Sequence, residues 1–232
     1  MADTIITISR EYGSGGRDIG RLLSEELGLP LFDKEIMHIA IERSGMSADF
    51  VEKRGEKVPS KFLQDLQRLS LNIPHVHIPS GVRIPSGAHM PSDSSSLAMV
   101  KANAINDSDR LVRIQSSAIR EIAASGGCVI VGRCAGFILR KFPNLLSVFI
   151  RGKFNDRTRR AVQTYGHAEK TAARDVRKID KHRANFYKYY TDQKWGATDN
   201  YDLVINSSFS GIPGAVSVIK AMFDAKMTGC SV

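Results

Sequence analysis

Apolar positions along this chain recur at the two periods that separate strands from helices. Thr4, Ile5, Ile6, Thr7 and Ile8 make a β-branched run suited to a buried strand, and Ile19, Leu22, Leu23 and Leu27 then follow at helical spacing. Gly28 marks the helix end, and Pro30, Leu31 and Phe32 read as a short strand ending at Asp33. Asp33 stands where it can cap a helix from Lys34 to about Ser44, with Ile36, Ile39 and Ala40 on its apolar face. Gly45 closes that helix, Ser47 opens another, and a further helical segment spans about 61–71. Over 72–96 periodicity is lost among prolines, serines and His75, His77 and His89, so this stretch reads as an irregular excursion.

A helix returns from about Asp107 to Ala124, with Leu111, Ile114, Ile119 and Ile122 inward. Cys128 to Val131 is too apolar to alternate and reads as a strand covered on both faces; Leu145 to Ile150 is the next. The basic helix after it carries Arg151, Lys153, Arg157, Arg159 and Arg160, read for the most part as a solvated face. From about Ala168 to Tyr190 an apolar stripe runs through Ala172, Val176, Ile179, Phe186 and Tyr190. The chain closes with a strand at Tyr201 to Ile205, a turn at Gly211-Ile212-Pro213-Gly214, and a helix facing inward through Val216, Ile219 and Phe223. Strands that alternate with helices in this way predict an α/β fold with a parallel sheet and right-handed crossovers.

Candidate chemistry concentrates where the first strand breaks. Gly13-Ser14-Gly15-Gly16-Arg17-Asp18 leads from a strand into a helix N-terminus, which turns several backbone N–H groups toward one concavity and suits a phosphate. Set against the pattern GxxxxGK[ST], Arg10 takes the place of the first glycine, Gly15 that of the second and Gly16 that of the lysine. The usual ammonium is therefore missing, and Arg17, one residue later, has the reach and forked donors to serve the same anion. Asp33 suits a helix cap, the water shell of Mg²⁺ or a substrate contact. Arg133 follows a strand at the carboxyl end, where α/β sheets bind ligands, and reads as a phosphate contact. Arg177, Asp180 and Arg183 recur every three residues, so a carboxylate there can orient two guanidiniums over a transferring phosphoryl group. The three histidines have neither a nearby cysteine nor a helix to fix their geometry, and no metal site is assigned to them.

Composition narrows the setting. The 232 residues fit one α/β domain with a smaller appendage, or two small domains, and 42% hydrophobic residues suffice for a sizeable core. An excess of 33 Lys+Arg over 24 Asp+Glu leaves +9, which favours a polyanion: nucleotide phosphate, nucleic acid or a membrane surface. The start lacks the basic and apolar regions of a secretory signal, and no apolar run approaches the ~20 residues of a membrane helix. Cys128, Cys134 and Cys230 have neither metal nor disulfide-scaffold spacing. The expectation is a soluble, cytoplasmic protein with no membrane partner.

ISREYGSGG, PLFDKEI, CVIVGRCAGFIL, the Arg177-x-x-Asp180-x-x-Arg183 spacing and KWGATDNYDLVINSS together resemble the cytidylate kinase-like proteins, relatives of bacterial cytidylate kinase among the P-loop nucleoside monophosphate kinases. The resemblance extends over nearly the whole chain apart from the Pro/Ser/His stretch. It implies a P-loop NTPase-like three-layer fold with a five-stranded parallel sheet in a single domain over 1–232, with 45–106 as the acceptor-binding insertion and 166–195 as the lid. It also implies ATP and Mg²⁺, Gly13 to Asp18 on the donor phosphates, Arg133 on the acceptor phosphate, Asp33 at the start of the acceptor region, and Arg177, Asp180 and Arg183 as a lid cluster. Cytidylate kinases have lysine where this chain has Gly16, aspartate where it has Cys134 and arginine where it has Ile39. Cytidine as acceptor is therefore not implied.

The leading reading is an ATP-dependent phosphotransferase acting on a nucleoside monophosphate or other small acceptor. A nucleotide sensor that lost turnover with its lysine is the first alternative. A nucleic-acid-binding protein using the basic helices is the second, and no glycine-and-aromatic RNA motif or helix-turn-helix pattern supports it.

Overall fold

The computed structural model describes residues 4–33, 35–44 and 95–227. The helices expected from Ser47 and over 61–71, nearly all of the excursion with its three histidines, and Cys230 lie outside the described residues. Five strands, β1 (Ile5–Arg10), β2 (Leu31–Phe32), β3 (Cys128–Val131), β4 (Leu145–Arg151) and β5 (Leu203–Asn206), form one sheet in the order β2-β3-β1-β4-β5. Every pairing is parallel, with Ile5 beside both Cys128 and Leu145. The helices are α1 (Gly16–Leu27), α2 (Glu35–Ser44), α3 (Ser95–Ala124), α4 (Ala135–Ile138), α5 (Phe154–Tyr165), α6 (Glu169–Thr191) and α7 (Ser207–Met227).

Alternation along β1 sends neighbouring residues into opposite layers. Ile6 and Ile8 pack with Ile19 and Leu23 of α1 and with Val216 and Ile219 of α7. Ile5 faces Ile36 of α2, Ile119 of α3 and Leu139 beyond α4. Helices thus cover both faces, which is why β3 carries only apolar side chains, all four of them buried. Burial pushes the Cys128 thiol up to about 11, leaving it a structural hydrophobe. Leu23 is fully buried, so Leu23→Ala is expected to cost about 2–5 kcal/mol in chemical denaturation.

Two helices begin earlier than the sequence pattern places them, and α4 has no counterpart in it. α3 begins at Ser95, well before the expected Asp107, and α7 starts directly after β5 instead of after the turn at 211–214. Gly211, at φ 65 and ψ 176, breaks the helical path there, so the glycine and proline signal marks a kink between helical turns. None of the described helices is long and apolar enough to cross a membrane.

Strand order decides where a ligand can sit. The chain leaving β1 crosses toward the β2 edge, whereas the chain leaving β4 crosses to β5, so a crevice opens outside the carboxyl ends of the adjacent β1 and β4. The glycine loop occupies that crevice.

Candidate functional site

The loop is held in shape by its own turn and by α5. The Ser14 hydroxyl and amide both donate to the Glu11 carbonyl, at 2.8 and 3.3 Å. Gly13 and Gly15 have φ near 79, and a Cβ on Gly13 would sit 2.3 Å from the Arg157 carbonyl oxygen. Backbone lies against backbone here, which only glycine permits. Gly15 then caps α1 in the left-handed conformation. The start of α1 presents the amides and partial positive charge that attract phosphate.

Gly16, in the slot of the lysine, faces Arg10. A Cβ on Gly16 would lie 2.6 Å from the Arg10 Cβ, so a side chain at 16 and the arginine at 10 compete for one space. The Arg10 guanidinium runs across to β3, where a Cβ on Gly132 would stand 2.2 Å from its Nη1. Gly132, Arg133 and Cys134 all have positive φ, at 84, 57 and 55. Two non-glycine residues in that region cost of order 1–3 kcal/mol each, and such strain clusters at functional sites. The turn brings Arg133 to a narrow throat of about 30 Å³ that Arg10 and Arg183 also line. Arg183 further donates to the Arg10 carbonyl at 3.2 Å, fastening α6 to the end of β1.

The remaining sequence candidates lie close by, with partners the spacing did not indicate. Arg17 pairs through Nε with Asp33 Oδ2 at 2.6 Å, bringing those two residues together. Asp18 pairs with Arg160 Nη2 at 2.6 Å. The Asp180 carboxylate accepts from the Tyr12 amide at 2.7 Å and from Arg157 Nη1 at 2.5 Å. Arg177 is exposed and lies over the Phe154 ring, its guanidinium carbon 4.3 Å from the centroid.

The sequence pattern puts Arg157 with the basic helix's largely solvated face, and the structure makes it the buried centre of this network. Its side chain is 9% exposed, and it donates to the Tyr12 and Gly152 carbonyls as well as to Asp180. Glu11 Oε2 lies 3.2 Å from its Nε and accepts from the Gly152 amide. A signal existed: Arg157 precedes the buried Ala161 by four residues and so shares its inward face. Tyr12 adds a further tie from the loop, its hydroxyl 2.8 Å from His167 Nε2, and burial raises its pKa.

On the other side of the loop, an open cleft of about 340 Å³ runs from Gly13 and Ser14 past Arg160 to Ser207 and Ile212. The Arg160 Nε is buried there without a hydrogen-bond partner among the described residues. A buried donor of that kind is costly unless a ligand or water completes it. The loop therefore stands between a cleft on its α7 side and an arginine-lined throat on its β3 side.

The cytidylate kinase-like family matches residues 5–209, which takes in the loop, the throat and α6. The chain belongs to that family. A crystal structure of an uncharacterized protein from Eubacterium ventriosum ATCC 27560 is similar at 25% identity and TM-score 0.62, covering 96% of this chain and 99% of that one. Shikimate kinase from Bacteroides thetaiotaomicron, at 12% identity and TM-score 0.50, covers 95% of this chain and 98% of its own, a likeness of fold. No curated protein matches the sequence. Membership in the cytidylate kinase-like family supports a kinase-type nucleotide-binding protein, and the arrangement of loop, cleft and throat is the part of the fold on which such a function would rest.

Proposed function

We propose that the protein transfers the γ-phosphoryl group of ATP to a small phosphorylated or hydroxylated acceptor, a nucleoside monophosphate among them. The observation that carries this reading is the placement of the loop between two spaces suited to different ligands. The α7-side cleft would take the body of the donor, with its phosphates over Gly13, Ser14, Gly15, Gly16, Arg17 and Asp18. Arg10, Arg133 and Arg183 would meet the acceptor and the group in transfer. Phosphoryl transfer asks for positioning and charge neutralisation more than for covalent help, and a ring of guanidiniums provides both.

Among the described residues, no three His, Cys, Asp or Glu side chains gather to cage a metal. Mg²⁺ keeps several waters and is held largely by the donor phosphates, so it needs no protein cage. Asp33 would hold it from the protein side through that water shell. The ion would supply charge neutralisation on the phosphates.

The throat, at about 30 Å³, has room for little more than one water. Admitting a phosphoryl group requires Arg183, Phe186 and Tyr187 of α6 to yield, which is the movement expected of a lid. Arg183→Ala should therefore depress turnover more than ATP affinity, and equal losses would count against a lid that acts in the transition state.

Acceptor-dependent ADP formation over a panel of nucleoside monophosphates and other small phosphorylated or hydroxylated compounds, beside calorimetric ATP binding, tests the whole reading. Turnover with at least one acceptor is expected. ATP binding without turnover on any of them would favour a nucleotide sensor, and failure to bind ATP at millimolar concentration would remove both.

A further inference from the structure

The throat does not end at Arg133. Arg133, Cys134 and Phe186 also form one wall of a groove of about 300 Å³ that continues between α3, α4 and α6. That volume is at the small end of the range for small-molecule sites. Its middle is apolar and aromatic: Phe137 of α4 faces Phe186 and Tyr190 of α6, whose rings stand 4.7 Å apart. Its rim is basic, formed by Arg113 and Arg120 of α3 and by Arg140 just past α4. Arg113 and Arg120 are seven residues apart, hence on the same side of the helix and roughly 10 Å apart along its axis. Arg140 is pinned in place, donating to the Phe137 carbonyl at 2.7 Å with its guanidinium carbon 4.0 Å from the Phe137 ring centroid.

Counting throat and groove together, the described wall residues include Arg10, Arg113, Arg120, Arg133, Arg140 and Arg183 and no aspartate or glutamate. Asp109 acts on Arg113 from outside the wall, where it accepts a hydrogen bond from the Tyr190 hydroxyl at 3.4 Å. Guanidiniums gathered along one cleft repel one another and attract a ligand of opposite sign. One anionic group at the throat would answer only half of them, because Arg113, Arg120 and Arg140 line the groove and not the throat. We infer that the acceptor is a small molecule with two anionic groups separated by a flat or apolar body: one group at Arg10, Arg133 and Arg183, the other at Arg113, Arg120 and Arg140, with the body on Phe137, Phe186 and Tyr190. This deepens the phosphotransferase reading above and rests on it for the direction of transfer. Within that reading it favours acceptors that carry a second anion over a simple nucleoside monophosphate, which has none.

Phenyl phosphate and 4-carboxyphenyl phosphate differ only in that second group, and their binding can be measured without ATP. Trp195, the sole tryptophan, lines the throat and reports occupancy by fluorescence, with calorimetry alongside. The carboxylated probe is expected to bind at least about tenfold tighter, as a charge-assisted contact would give. In Arg113→Ala/Arg120→Ala the advantage should shrink to less than about threefold while phenyl phosphate binds as before. Arg21→Ala/Lys220→Ala removes the same net charge from exposed pairs elsewhere and should keep the advantage. Equal affinities in the unmodified protein, an advantage that survives in the α3 double variant, or no binding of either probe would overturn the inference. Equal affinities alongside acceptor-dependent ADP formation would sink this inference alone. Discrimination between the probes with no ADP formation from any acceptor would sink the transfer reading alone.

Discussion

Arg10→Ala is expected to lower turnover by on the order of 10²–10³-fold, the effect of removing one preorganised contact to developing charge, while the ATP affinity stays within about threefold. Arg10 stands at the end of β1, its guanidinium reaching Gly132 and lining the throat with Arg133 and Arg183. It is thus placed toward the transferring group and away from the cleft assigned to the donor's body. Its relation to Gly16 supplies a sharper test. Because a Cβ at 16 would meet the Arg10 Cβ at 2.6 Å, Gly16→Lys alone should disturb the loop and lose activity. Arg10→Gly/Gly16→Lys relieves that conflict and returns a cation to the ordinary slot, so it should recover at least about tenfold over Arg10→Gly in kcat. A double variant no better than Arg10→Gly would mean that the two positions do not exchange roles.

Asp180→Ala should destabilise the protein by about 3 kcal/mol, the low end of the range for breaking a buried ion pair. Arg157 and Asp180 are only 9% and 17% exposed, and the loss leaves the buried guanidinium with Glu11 as its remaining carboxylate partner among the described residues while also freeing the Tyr12 amide. Denaturant titration measures the first effect. Weaker ATP binding measures the second, since Arg157 also holds the Tyr12 carbonyl and packs its backbone on Gly13. Asp180→Asn keeps an acceptor for the amide and should fall between the two. A destabilisation below about 1 kcal/mol would reduce the pair to a surface contact.

Much of this arrangement could be read along the chain, for a physical reason. β1, β3 and β4 are buried on both faces, so their residues must be apolar almost without interruption, and the runs at 5–8, 128–131 and 145–150 stand out. The glycines at 13, 15 and 16 were legible because a strand that turns directly into a helix against another backbone has no room for side chains. The place of Arg133 just after a strand is legible too, and the structure sets it on the throat that Arg183 also lines.

Partner choice was not legible. The three-residue spacing of Arg177, Asp180 and Arg183 suggested a carboxylate serving its own helix, yet Asp180 reaches across to Arg157 and to the Tyr12 amide. The sequence offers Arg17 as a phosphate ligand and Asp33 as a cap, metal or substrate contact, and the two pair with each other. Ion pairs between residues far apart in the chain leave no periodic trace, because they depend on which elements the sheet order sets side by side.

The sequence by itself determined the strand and helix alternation, the glycine loop and its missing lysine, because these follow from local sterics and from burial on regular faces. Only the tertiary structure decided that Arg10 fills the space opposite Gly16, that Arg157 is buried, and that a throat and an aromatic groove share the wall at Arg133. Those outcomes depend on how α3, α5 and α6 pack around the carboxyl ends of the strands, and packing of that kind brings together side chains that no spacing along the chain connects.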